Sequence, residues 1–273
     1  MPENLQVASG LVFSNQGRIE LKIDVVRRPN FSNKPQPAVL FLHGGAWRDG
    51  RRDMPNPVQW ELALRGYVCF TCDYRLSQEA IFPAQLLDVR DALKWIATHS
   101  SEYGVDSTRI GIWGMSAGGH LASLAAYAPD AFLREGESPV KVRAIAAIFP
   151  TTDLVQITKS RLNQKNVRSD LIGAASPEAQ LLGANPMQRP DLAAAASPVT
   201  YITPDDPPTW IIHGLKDETV PVEQSRIMAA SLAKAKVRHQ LQVVPNLAHE
   251  AKYDLFEDSI VRFFDRELGP ILP

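Results

Sequence analysis

From residue 37 onward, short apolar runs alternate with longer amphipathic stretches. Several runs are apolar at consecutive positions, as in strands that are buried on both faces of a sheet. The stretches between them carry apolar residues at helical spacing. This order predicts an α/β fold with a mostly parallel central sheet and helices on both faces. The predicted strands are 37–44, 67–74, 109–115, 143–150, 209–214 and 239–245, and the predicted helices are 55–65, 83–99, 117–128, 222–235 and 251–267.

Two segments depart from this alternation. Residues 11–26 alternate in polarity around a turn signal at Asn15-Gln16-Gly17, which predicts an antiparallel hairpin at the sheet edge. Residues 151–200 are first polar and then rich in small residues and proline, without a strand signal. We expect a cap-like insertion of short helices and loops above the sheet there, because long connections in compact domains are usually functional or disordered. The chain 1–273 is then a single domain.

Composition narrows the class of protein. The chain has 273 residues, of which 45% are hydrophobic and 22% charged, with a formal net charge of −1. These values are ordinary for a globular domain and argue against disorder and against a nucleic-acid partner. No apolar stretch is long enough for a membrane span, so no membrane association is expected. The start lacks a signal-peptide pattern, which predicts a cytoplasmic protein, or a secreted or periplasmic one where a signal peptide has been removed. The sequence is compatible with a homodimer.

The two cysteines form a C-x-x-C spacing inside a predicted strand. Cys69 and Cys72 are three residues apart within 67–74, so their side chains are expected on opposite faces of the sheet. A redox pair would instead open a helix, and a zinc site would need a second pair of ligands, which the sequence does not provide. We therefore interpret both cysteines as core residues.

A serine motif follows one predicted strand. Residues 109–115 lead into Gly114-Met115-Ser116-Ala117-Gly118 and then into the predicted helix 117–128. In this setting, G-x-S-x-G is typical of a tight strand-to-helix turn that exposes a nucleophilic serine above the sheet. The alternative is a serine that only begins a helix, as serine commonly does. The strand, turn and helix together favour Ser116 as the nucleophile.

A second motif, His43-Gly44-Gly45-Ala46-Trp47, follows the predicted strand 37–44. Loops of this HGGG type supply a main-chain N–H to an oxyanion hole, together with the residue after the nucleophile. We assign Gly45, Ala46 and Ala117 as donors, with Gly44 as the alternative. Trp47 is expected either to line the acyl pocket or to serve in packing.

The nucleophile requires a base, and the base of such a hydrolase comes last in the chain. His249 follows the last predicted strand, 239–245, and is in the position expected for this base. The other histidines lie in the oxyanion motif, on the helix after the serine, in polar flanks or within a strand run: His43, His120, His99, His239 and His213.

The acid that orients the base should lie between the serine and the histidine in the chain. Asp217 follows the end of the predicted strand 209–214, and its neighbour Glu218 is the alternative. Asp205 and Asp206 precede that strand, at the wrong end for the site. We assign Asp217 as the acid.

These motifs resemble those of the bacterial dual feruloyl and acetyl-xylan esterase family (BD-FAE), of the α/β-hydrolase fold. The resemblance extends over nearly the whole chain. It rests on FLHGGAWRDG, DYRLS, FPAQLLDVRDALKWI, RIGIWGMSAGGHLASL, SPVTYITPDDPPTWIIHGLKDETVP and VVPNLAHE. One departure is Ala248, where family members often carry glycine. The H-G-G-x-W form also occurs in kynurenine formamidases.

The resemblance implies a serine esterase that removes acetyl or other short acyl groups, with feruloyl groups as a second choice. The substrate would be a small-molecule or carbohydrate-linked ester. The alternatives are an arylformamidase with the same triad and a non-catalytic binding protein that keeps the hydrolase fold. No phosphate-binding loop and no metal-ligand spacing are present, so we expect neither a cofactor nor a metal.

Overall fold

The computed structural model describes residues 4–29, 32–54, 56–163 and 167–269. Within these residues, eight strands form one sheet. They are β1 (Gln6–Gln16), β2 (Ile19–Arg27), β3 (Gln36–Leu42), β4 (Val68–Cys72), β5 (Val105–Met115), β6 (Ala144–Ile148), β7 (Thr209–Gly214) and β8 (His239–Val244).

The strand order across the sheet is β1-β2-β4-β3-β5-β6-β7-β8. The first two strands form an antiparallel hairpin, β2 is antiparallel to β4, and all other neighbours are parallel. This topology confirms the predicted α/β-hydrolase fold and the N-terminal hairpin at the sheet edge. The six strands predicted from residue 37 onward are all present.

The helices lie close to their predicted positions. The helix predicted for 55–65 begins at Pro57, where the Asn56 side chain accepts a hydrogen bond from the Gln59 N–H, and Pro55 lies outside the described residues. The helix predicted for 251–267 begins only at Glu257. The α-helices are α1 (Pro57–Leu64), α2 (Ala84–Thr98), α3 (Ser100–Tyr103), α4 (Ala117–Tyr127), α5 (Leu154–Leu162), α6 (Pro177–Leu182), α7 (Pro190–Ala195), α8 (Glu223–Lys234) and α9 (Glu257–Glu267), and 3₁₀ turns occur at Ser169–Leu171, Gly173–Ala175, Pro198–Thr200 and Tyr253–Leu255.

The sheet separates two hydrophobic cores. Leu40 faces α2, α4 and α8, whereas its neighbour Phe41 faces α1 and α9. Successive residues of a strand point to opposite faces, so these consecutive apolar residues are buried on both sides. Cys72 belongs to the first core and Cys69 to the second, and both are free and buried. Their placement agrees with a packing role.

Residues 151–200 connect β6 to β7. The described part of this segment contains α5, α6, α7 and three 3₁₀ turns, and no strand occurs in it. Residues 164–166 lie outside the described residues. The segment contributes Leu171 and Pro177 to a cavity that also borders Ser116, so it lies over the site described below. None of the described helices is both long and apolar enough to cross a membrane.

Candidate active site

Ser116 occupies the turn between β5 and α4. Its φ of 54° and ψ of −119° place a non-glycine residue in a sparsely populated region of backbone space. Such a conformation costs of order 1–3 kcal/mol and persists only where the surroundings enforce it. The turn ends β5 at Met115 and begins α4 at Ala117, so the Ser116 hydroxyl lies above the carboxyl end of a central strand.

The two glycines of the serine motif allow this tight turn. A Cβ atom on Gly118 would lie 2.1 Å from the carbonyl oxygen of Leu42, and one on Gly114 would lie 2.4 Å from the carbonyl carbon of Gly118. Either methyl group would force backbone apart, because real Cβ contacts are longer than 3 Å. Leu42 and Gly114 are paired neighbours on β3 and β5. The serine turn is therefore packed directly against the start of the oxyanion loop, residues 43–50.

The structure brings Ser116, His249 and Asp217 into one hydrogen-bonded line. The Nε2 atom of His249 lies 2.9 Å from Oγ of Ser116, and its Nδ1 lies 2.7 Å from Oδ2 of Asp217. With the proton on Nδ1, the imidazole donates to the carboxylate and leaves Nε2 free to accept the serine proton. All three residues lie after the carboxyl ends of parallel strands, which is where open α/β sheets bind ligands.

Asp217 is held as a carboxylate. Its Oδ1 accepts hydrogen bonds from the main-chain N–H groups of Thr219, at 2.9 Å, and Val220, at 2.8 Å. Burial by itself raises the pKa of Asp217. Hydrogen bonds with His213 and His249, and the Val220 N–H, outweigh this effect and lower the pKa to about 2. At neutral pH the carboxylate is therefore charged and can stabilise a protonated His249.

His213 lies behind Asp217 and was not assigned a role from the sequence. It is fully buried on β7, with Nε2 donating to the Val220 carbonyl at 2.8 Å and lying 3.4 Å from Oδ2 of Asp217. Its Nδ1 lies 2.6 Å from Oγ of Ser225 on α8. The sequence did contain a signal for such a role, namely a histidine in an otherwise apolar strand run. A buried imidazole requires hydrogen-bond partners, so a polar contact at this position could have been expected.

The oxyanion loop has three consecutive residues with positive φ. These are Gly45 at 116°, Ala46 at 53° and Trp47 at 57°. Among the described residues, the main-chain N–H groups of Ala46 and Ala117 have no backbone acceptor. Gly44 packs against Ser116, since a Cβ atom on Gly44 would lie 3.4 Å from the serine Cβ. The loop is thus in place to supply N–H donors beside the serine.

The side chain of Trp47 anchors this loop. Its indole N–H donates to Nδ1 of His120 at 3.1 Å, and Nε2 of His120 donates to the carbonyl of Ala196 at 2.7 Å. Burial lowers the pKa of His120 to about 4, so the ring is neutral at physiological pH, as this pair of hydrogen bonds requires. Trp47 packs in the core and also borders the cavity beside Ser116.

Tyr74 supports the same loop from below. Its hydroxyl donates to the His43 carbonyl at 2.9 Å, and its ring stacks on the His43 imidazole with 4.3 Å between centroids. Burial lowers the pKa of His43, whose Nδ1 lies 2.7 Å from the Gly44 carbonyl oxygen. His43 therefore acts in loop structure and is not available as a base.

A cavity of about 180 Å³ begins at Ser116. Its wall combines the nucleophile and oxyanion region with charged side chains from the segment 151–200 and from the oxyanion loop. The lining residues are Ala46, Trp47, Arg48, Ser116, Ala117, Thr151, Arg161, Arg168, Asp170, Leu171, Pro177, Glu178, Thr219 and Val220. In the part of the chain that the structure describes, no group of three His, Cys, Asp or Glu residues could hold a metal ion.

Known esterases are similar to this chain in sequence and in structure. The BD-FAE family model matches residues 23–232. The probable carboxylic ester hydrolase LipM of Mycobacterium tuberculosis is 35% identical over 209 residues, which are 75% of this chain and 47% of that protein. The esterase LipQ of the same organism is 32% identical over 83% of this chain and 53% of its own length. The chain thus spans about half the length of the curated relatives it matches.

The structural comparison covers almost the whole chain. Esterase 2 of Thermogutta terrifontis, in a form phosphonylated by sarin, has a TM-score of 0.81 and 25% sequence identity. The alignment includes 99% of this chain and 98% of that one.

Proposed function

The chain belongs to the BD-FAE family and has the α/β-hydrolase fold, and we propose on this basis that it is a serine hydrolase that cleaves carboxylic esters through an acyl-enzyme. The observation that carries the proposal is the line of Asp217, His249 and Ser116, with heavy-atom distances of 2.7 and 2.9 Å. The esterase names of the relatives support the same chemistry.

In the first step, Oγ of Ser116 attacks the ester carbonyl carbon. The serine proton moves to Nε2 of His249 as the new C–O bond forms, and the carbonyl π electrons move to the oxygen. Asp217 accepts the Nδ1–H of His249, which keeps the imidazole in the productive tautomer and stabilises the imidazolium. The depressed pKa of Asp217 keeps this carboxylate ionised throughout.

The developing oxyanion is stabilised by main-chain donors. Ala117 and Ala46 line the cavity beside Ser116, and their main-chain N–H groups have no backbone acceptor in the described part of the chain. Together with the Gly45 N–H they are the proposed donors to the oxyanion, and donors fixed in advance cost no reorganisation when charge develops. Loss of one such donor typically lowers the rate by about 10² to 10³. The N-terminus of α4 adds a favourable potential at the same place.

The tetrahedral intermediate then collapses. The bond to the leaving alcohol breaks, and the alcohol oxygen takes the proton from His249. Water, activated by His249, attacks the acyl-enzyme in the same manner and releases the carboxylic acid and Ser116. Acetyl and other short acyl groups, on a small molecule or a carbohydrate, are the proposed substrates, with feruloyl groups as the second choice.

The test combines turnover with covalent labelling. Ser116→Ala should lower the hydrolysis of p-nitrophenyl acetate by about 10³ or more and abolish labelling by a fluorophosphonate probe. Ser123→Ala is the matched control, since Ser123 is buried on α4, the helix that follows Ser116, and its hydroxyl donates to the Gly119 carbonyl. Residual activity of the Ser116 variant within a few-fold of wild type would refute the mechanism. Faster turnover of N-formylkynurenine than of acetyl esters would favour an arylformamidase.

A further inference from the structure

The cavity beside Ser116 is bounded by a buried ion pair. Nη1 of Arg161 on α5 lies 2.6 Å from Oε2 of Glu178 on α6, and both side chains are only 2% exposed. Both residues line the cavity together with Ser116, Ala46 and Ala117. The cavity therefore extends from the reacting serine to the ion pair.

The ion pair is fixed in position from a second side. Nη2 of Arg161 donates to the carbonyl oxygen of Thr219 at 2.7 Å, and the N–H of Thr219 donates to Asp217. Burial raises the pKa of Glu178, and the neighbouring Arg161 opposes this effect. Removing either partner leaves an uncompensated buried group.

The cavity is small for an ester pocket. Its volume is about 180 Å³. Pockets for drug-sized ligands measure about 300–1,000 Å³. The wall is also charged beyond the ion pair, since Arg48, Arg168 and Asp170 line it. An alkyl or aromatic acyl group would exclude water from these charges without replacing any hydrogen bond.

We propose that this cavity receives the acyl group, and that the Arg161–Glu178 pair restricts that group to acetyl or propionyl and excludes longer alkyl chains and feruloyl groups. This inference rests on the proposed esterase function and narrows it. The pair acts as the polar end wall of the acyl cavity, and its replacement by apolar side chains of similar length turns the wall into one that an alkyl chain can bury against.

The experiment measures kcat/KM over p-nitrophenyl acetate, propionate, butyrate and hexanoate, with the alcohol held constant. Wild type should lose at least about tenfold between acetate and hexanoate. Arg161→Met/Glu178→Met should raise the hexanoate-to-acetate ratio by about tenfold or more, because each methylene buried against apolar surface favours binding by about fourfold. The substitutions could also displace Thr219 and Asp217, which would lower the rates for all esters alike. The hexanoate-to-acetate ratio is not changed by such a general loss of activity.

Two control variants separate wall chemistry from general damage. Arg161→Lys keeps a cation against Glu178 and should keep the wild-type ratio. Arg65→Met/Asp265→Met removes an ion pair of 2.9 Å between α1 and α9 on the other face of the sheet and should leave the ratio within about twofold. An apolar double variant that folds and keeps the wild-type ratio would overturn the inference.

A second measurement needs only the wild-type protein, in case the double variant does not fold. Methyl and pentyl phosphonate esters of p-nitrophenol should label Ser116 at rates that differ by about tenfold or more, with methyl faster. Equal rates would overturn the inference. Absence of both ester hydrolysis and labelling would instead refute the proposed function, whereas hydrolysis with a flat chain-length profile would refute only the role of the ion pair.

Discussion

Trp47 and His120 are joined by a hydrogen bond of 3.1 Å that ties the oxyanion loop to the helix after the nucleophile. Both Ala46 and Trp47 have positive φ without being glycine, a conformation that costs energy unless the surroundings enforce it. His120 in turn donates a hydrogen bond to the Ala196 carbonyl, which connects the loop to the segment 151–200. The indole anchor thus holds the strained loop in its donor position.

Trp47→Phe should therefore lower kcat more than it changes KM. The phenyl ring keeps most of the packing but removes the N–H, so the loop loses the bond that enforces its conformation. We expect kcat to fall about tenfold or more, because the oxyanion donors act mainly in the transition state. Steady-state kinetics on p-nitrophenyl acetate measure this effect. Trp60→Phe on α1 is the control, and an unchanged kcat in the Trp47 variant would contradict the role of the anchor.

Asp217→Asn and Glu218→Gln should show which of these two neighbouring carboxylates orients His249. The amide keeps the size of the side chain but loses the charge and permits the wrong tautomer of His249, so kcat should fall by about 10³ to 10⁴. Glu218→Gln changes an exposed carboxylate and should leave kcat within about twofold. Kinetics of the two purified variants decide the assignment, and the reverse order of activities would show that Glu218 is the acid.

Asp206 makes the free energy of unfolding depend on pH. Burial raises its pKa to about 6, although it accepts a hydrogen bond from the Thr203 N–H. Since the folded value lies above the unfolded one, the charged form penalises the folded state above pH 6, and the penalty disappears as the pH falls below about 4. Asp206→Asn should thus gain about 1–2 kcal/mol at pH 8 and nothing near pH 4.

Urea unfolding at these two pH values measures the difference. The exposed neighbour supplies the control, because Asp205→Asn should change the free energy of unfolding little at either pH. A gain for Asp206→Asn that is equal at pH 4 and pH 8 would show that the effect is not electrostatic.

Cys69 and Cys72 should behave as inert core thiols. Burial raises the pKa of both, and they face different cores across β4. Thiolates are the reactive species, so a chromogenic disulfide reagent should titrate no thiol quickly in the folded protein and two after denaturation. Rapid reaction of the native protein, or activity that depends on added reductant, would contradict this expectation.

The polarity pattern was sufficient to predict the fold because the central strands β3, β4, β6 and β7 are buried on both faces. Consecutive apolar residues such as Leu40 and Phe41 indicate a central strand that is covered on both faces. The predicted site residues Ser116, Asp217 and His249 also follow strand ends, and the parallel sheet brings those ends together. The predicted starts of some elements were less accurate. The strand predicted from residue 109 begins at Val105, and the helix predicted from residue 251 begins at Glu257.

The supporting contacts could not be predicted in the same way. His213, Tyr74 and the pair of Arg161 with Glu178 act through partners that only the folded chain brings near. Arg161, for example, bonds to a carbonyl 58 residues away. No local periodicity encodes such a contact, because it depends on how the segment 151–200 lies over the loop after β7. The sequence can indicate that a charge or an imidazole is buried, but it does not identify the residue that pairs with it.

Pairing of Leu42 with Gly114 has an evolutionary consequence. The oxyanion loop and the nucleophile leave the sheet side by side, and main-chain hydrogen bonds between β3 and β5 set their spacing. Most of the charged cavity wall comes instead from residues 151–200, outside that ladder. Mutations in this segment can therefore change which esters fit while the reacting atoms keep their places. We therefore expect relatives to diverge most in this segment, and it is the first target for directed evolution toward new esters.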